Sequence, residues 1–272
     1  MGSKRDSPVN VMFGWLRKRS MKVKIFLGIL LAFCAIVVLK HTIREPNFFF
    51  KASETVHIIG LIVLIYKLYV HKSCSGISLK SQELTALFLA TRLVGRAYIM
   101  ANLHSVLDLI LLLSTLLVIW MIRFKLKSSY IKEFDNMWLS LLVAFCAILA
   151  IIIHPLFTHH SWIARVFWVF PTYLETISIL PQLRYMQNAK IVETFTGYYV
   201  FALGVSRFLS LAFWIIHTYD TRGKYLFFFG HGYFWMLSLF LSEIIQSFIL
   251  ADFCYYYIKS FMQGKLLRKM PV

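Results

Sequence analysis

FLATRLVGRAYIM, residues 88–100, places two arginines, Arg92 and Arg96, inside an apolar run. Whether such a run is tolerable depends on what surrounds it. The chain has 272 residues, 59% of them hydrophobic and 15% charged, whereas soluble proteins carry about 25% charged residues. Lys and Arg gather in short clusters between apolar runs of roughly 16 to 25 residues, the length needed to cross a bilayer core. This pattern predicts an all-α integral membrane protein. The formal charge of +17 then reports on topology, because basic residues mark the cytosolic ends of membrane spans. A nucleic-acid partner is excluded, since no polar face interleaves basic residues with exposed aromatics.

Eight apolar windows read as spans, at 25–40, 53–70, 84–101, 105–122, 137–153, 162–182, 198–217 and 231–258. Seven basic residues from Lys4 to Lys24 precede the first. Alternate loops carry His71/Lys72/Lys80, Arg123/Lys125/Lys127/Lys132, Arg184/Lys190 and Lys259/Lys265/Arg268/Lys269. All fall on one side, which the positive-inside rule makes cytosolic, so both termini are expected in the cytosol. The expected layout is a basic cytosolic segment 1–24, an uncleaved anchor 25–40, a seven-helix domain 50–258 and a basic tail 259–272.

No enzyme is expected. The chain has no GxxxxGK[ST] and no GxSxG, and His154/His159 fall in a loop rather than on one helix face. Cys34, Cys74, Cys146 and Cys254 occur singly, without the spacing of a zinc or redox site. No catalytic residue, metal or cofactor is therefore assigned.

Shifting the chain by 115 residues lays ISLKSQELTALFLATRL on VETFTGYYVFALGVSRF, so that Arg92 falls on Arg207. Each half then reads helix, short cytosolic loop, helix with a central arginine, a plan of two parallel repeats about an axis along the membrane normal. Both arginines lie about eleven residues into their helices, or ~16 Å, near the bilayer centre. An unpaired arginine there costs at least ~2.5–3.5 kcal/mol, so each should face a bundle interior and be paired. Glu175, Asp252, Asp108 and Glu243 are the candidate partners. Such pairs could simply hold the bundle together, or line an anion cavity with His57 and His217 nearer the lumenal face. Trp168, Trp214, Tyr173 and Tyr198 read first as packing residues and second as cavity lining.

HKSCSGISLKSQ (71–82), YLETISILPQL (173–183), ETFTGYYVFALGVSR (193–207) and ADFCYYYIKS (251–260) resemble signature segments of the KDEL/HDEL receptors, the ER lumen protein-retaining receptors. The resemblance covers about residues 50–272, leaving the first span as an addition. It implies a seven-helix PQ-loop/SWEET-like bundle in ER and Golgi membranes, which binds C-terminal retrieval-signal peptides in the acidic Golgi and returns with the COPI coat. By position it implies Arg92 and Arg207 as peptide-pocket arginines, His57 as the pH-sensing histidine, and Glu175, Trp168, Trp214 and Asp252 as core positions. His217 joins the ligand set and Gln182 the core polar set, while Lys265, Arg268 and Lys269 loosely resemble the return signal. The chain departs from the pattern at Leu93 and Gly95 (for a tyrosine and an acid), Ser206 (tyrosine), Phe213 (asparagine), His217 and Phe50 (arginines) and Arg165 (an acid). The PQ-loop likeness and Pro181-Gln182 also suit a small-solute carrier, and a non-binding partner of true receptors is a third reading.

Overall fold

The computed structural model describes residues 48–99, 103–155, 161–189, 192–220 and 234–262. The chain divides into Met1–Pro46 and Asn47–Val272, and every described residue lies in the second unit. The expected first anchor and the tail residues Lys265, Arg268 and Lys269 lie outside the described residues.

The described residues are helical, without strands: α1 (Phe48–Val70), α2 (Leu79–Ile99), α3 (Leu103–Trp120), α4 (Leu139–Ile152), α5 (Trp162–Ile177), α6 (Leu180–Ala189), α7 (Thr194–Asp220) and α8 (Phe234–Met262). Among the described residues six spans are long and apolar enough to cross a membrane. α2 is not among them, because Lys80, Glu83, Arg92 and Arg96 lower its hydropathy. The expected span 162–182 is instead two helices, broken at Ser178–Ile179. Pro181 is the second residue of α6, where a missing N–H costs no hydrogen bond.

α1 packs on α7 as α5 packs on α2; α2 packs on α3 as α7 packs on α8; and α1 packs on α3 as α5 packs on α8. α4 sits on α5. α1 and α7 come close because Gly60 carries no side chain: a Cβ there would lie 3.0 Å from that of Ala202. The core consists of buried leucines and aromatics, with Leu61, Leu64, Phe88, Leu89, Leu174 and Val200 nearly inaccessible.

One end of the bundle is closed by a polar lattice. Asp135 accepts from Ser78 Oγ (2.8 Å), the Lys80 N–H (3.1 Å) and Tyr130 Oη (2.7 Å). Gln182, fully buried, accepts from the Ser78 N–H at 2.9 Å and donates to the Gly76 carbonyl at 2.7 Å. Burial, and then the hydrogen bond with Asp135, push the Tyr130 phenol well above its ordinary range. Burial likewise pushes up the Cys74 thiol. Lys67, near the end of α1, is 2% exposed; it donates to Thr196 Oγ1 at 2.8 Å and pairs with Glu193.

Candidate functional site

The helices converge on a buried ionic cluster. Arg92 on α2 places Nη1 3.2 Å from Glu175 Oε2, Nη2 2.6 Å from Asp108 Oδ1 and 3.6 Å from Glu54 Oε1. Arg207 on α7 places Nη1 2.6 Å from Glu175 Oε1. Glu175 on α5 thus joins the two arginines, one oxygen to each at closest approach. Arg96, one turn beyond Arg92, pairs with the other oxygen of Asp108. Asp108 is fully buried, and the Arg92 and Arg207 side chains are only 14% and 12% exposed. At that burial a lone guanidinium would cost several kcal/mol, and the shared carboxylates offset it.

Glu243 on α8 lies in the field of Arg207, Glu175 and Arg92, with the Ser210 hydroxyl as its hydrogen-bond partner. With it the cluster counts four carboxylates to three guanidiniums. Glu54 Oε2, Glu243 Oε2 and the Gln246 amide oxygen are buried without a donor. A cavity of about 20 Å³ adjoins the cluster, lined among others by His57, Glu175, Tyr199, Arg207 and Gln246; that is room for one or two waters. His57 is 4% exposed, held on the inner face of α1 with Glu54.

The remaining candidates are placed differently. Trp214 and His217 are half-buried toward the far end of α7, rings perpendicular at 6.0 Å, with Phe213 stacked on His217 at 5.9 Å. Trp168 is 40% exposed and rests against Trp235 at 5.6 Å. Asp252 corrects the expectation of a core position and of an arginine partner: it is exposed. Leu250, Phe253, Cys254 and Tyr257 take the inward face of α8, which turns residue 252 outward. Where the resemblance placed an acid beside Arg92, position 95 is glycine, and the carboxylate comes from Asp108 on α3.

Glu54, Gln246 and Lys67 are functional-looking residues that sequence reasoning passed over. Glu54 and Lys67 lie at opposite ends of one apolar run, where charges usually meet headgroups. The signal for Glu54 was its spacing from His57, three residues on the same helical face. Among the described residues no group of His, Cys, Asp and Glu could hold a metal.

Residues 73–217 match the family described as ER lumen protein retaining receptor. ER lumen protein-retaining receptor A of Arabidopsis thaliana is 35% identical over 83% of this chain and 99% of its own length. The Petunia hybrida receptor is 34% identical over 81% and 98%, and erd-2.2 of Caenorhabditis elegans is 30% identical over 83% and 100%. An all-helical, multi-pass architecture with paired arginines inside the bundle accompanies this likeness along most of the sequence, and the chain belongs to the ER lumen protein-retaining receptor family.

Proposed function

We propose that the protein is a multi-pass receptor of ER and Golgi membranes that retains or retrieves ER lumenal proteins by binding KDEL/HDEL-type C-terminal signals or a related carboxylate. The family is one of receptors, not enzymes. The relatives compared all carry receptor names, so this reading takes precedence over a small-solute carrier. The observation that carries it is the pair Arg92 and Arg207 held on one carboxylate, Glu175.

A guanidinium fork takes a second carboxylate in the same plane. A ligand carboxylate would therefore exchange with Glu175 on the arginines. His57, which lines the cavity, is assigned the pH-sensing role that the family resemblance implies. Trp168, Trp214 and His217 are assigned to the path of the peptide, and Gln182 to closing the opposite end. The packing of α1–α2–α3 repeated by α5–α7–α8 supports a PQ-loop/SWEET-like plan of two parallel repeats with the site between them. Both termini are placed in the cytosol, with Lys265, Arg268 and Lys269 as the return signal to the COPI coat.

Peptides ending in KDEL or HDEL, titrated onto purified full-length protein at about pH 5.5 and about pH 7.4, test the reading. Saturable, acid-favoured binding that is lost in Arg92→Ala is expected. Absent binding at both pH values would refute it.

A further inference from the structure

An aromatic collar stands over the arginine cluster. Phe50 lies on the face of α1 that carries Glu54 and His57, four and seven residues further on. Its ring meets Phe213 of α7 at 5.7 Å. Phe213 stacks on His217, and Trp214 stands edge-on to the same imidazole. All four side chains are half-buried, whereas the cluster beneath them is nearly closed. The collar is where an entering chain would be held before its end reaches the guanidiniums.

The spacing sets which residue it would hold. Phe213 lies six residues beyond Arg207, ~9 Å along the helix. An extended peptide advances about 3.3 Å per residue, so the collar reads the side chain about three positions from the carboxyl terminus. Phe50 and Phe213, which meet at 5.7 Å, can bury an apolar or aromatic side chain and offer an acid no donor, and a carboxylate desolvated between these two rings is heavily penalised; the ring N–H groups of Trp214 and His217 are the polar edge of the collar.

We propose that Phe50, Phe213, Trp214 and His217 make this receptor prefer C-terminal signals with an aromatic or large apolar residue, rather than an acid, about three positions from the terminal carboxylate. The inference rests on the receptor reading above and narrows its ligand class. Competition between peptides ending in KDEL and KFEL on the full-length protein tests it. KFEL is expected to bind about tenfold tighter, and Phe213→Asn combined with His217→Arg should erase or reverse that ratio, with Arg92→Ala losing both peptides. Equal or tighter binding of KDEL by the native protein, or an unchanged ratio in the double variant, would overturn the collar's role alone. Binding of neither peptide overturns the receptor reading, and this inference with it.

Discussion

Replacing Glu175 by Ala removes the carboxylate that joins α2, α5 and α7. Arg207 Nη1 lies 2.6 Å from one of its oxygens and Arg92 Nη1 3.2 Å from the other. Removing one partner of a buried pair costs about 3–5 kcal/mol, because the remaining charge stays desolvated. The loss falls unequally. Arg92 keeps Asp108 and Glu54, while among the described residues Arg207 keeps no carboxylate within ion-pair distance. Thermal unfolding in detergent should therefore show a drop of about 6–20 °C for Glu175→Ala. Adding Arg207→Met should recover much of it, a coupling of about 1–3 kcal/mol. Adding Arg92→Met should recover little, since Glu54 then loses its cation while Arg207 remains unpaired. A shift below about 2 °C for the single variant, or equal recovery by both doubles, would refute this division of the charges.

Gly204→Ala would drive a Cβ into Cys254 Sγ; a loss of about 1–3 kcal/mol is expected, largely recovered when Cys254→Ala is added, as read by thermal melting. Asp135→Ala leaves three donors without their acceptor and should cost at least about 1.5–3 kcal/mol, with faster amide exchange across residues 126–138. The Tyr130 phenol, held above its ordinary value by burial and by Asp135, keeps its proton in the folded protein where the unfolded chain releases it. Its contribution is therefore present below about pH 10 and lost as pH rises beyond that, a slope that stability measurements should find reduced in Tyr130→Phe. Cys74, fully buried with its thiol pushed up, should resist maleimide in the folded protein and react once it is denatured.

The arginine site was legible because charge inside an apolar run is costly and needs a partner. Arg92, Arg207 and Glu175 could each be named on that ground before any fold was in hand. Which carboxylate meets which arginine was not legible. An apolar helix such as α8 gives no periodic contrast to reveal its inward face, so Asp252 and Glu243 looked equivalent although one is exposed and the other 7% exposed. Glu54 and Lys67 were hidden by position: both sit near the ends of α1 but on its buried face, and only tertiary packing shows that a charge near a span's end is inside the bundle. The break between α5 and α6 had a proline as its signal, read from sequence as part of a family segment rather than as a helix start.

The ion pairs also set a timetable for synthesis. Arg92 and Asp108 are 16 residues apart, so at about 5–20 residues per second the α2–α3 hairpin has its own counter-charge within ~1–3 s. Lys67 reaches the Ser75 carbonyl early, but its counter-charge Glu193, beside Thr196 129 residues later, arrives only after roughly 6–26 s. A charge buried in α1 is thus among the last to meet its counter-charge. Truncated nascent chains ending between α3 and α7 should accordingly leave Lys67 open to amine-reactive probes, and full-length chains should not. A Lys67→Met chain should mature with less dependence on membrane chaperones.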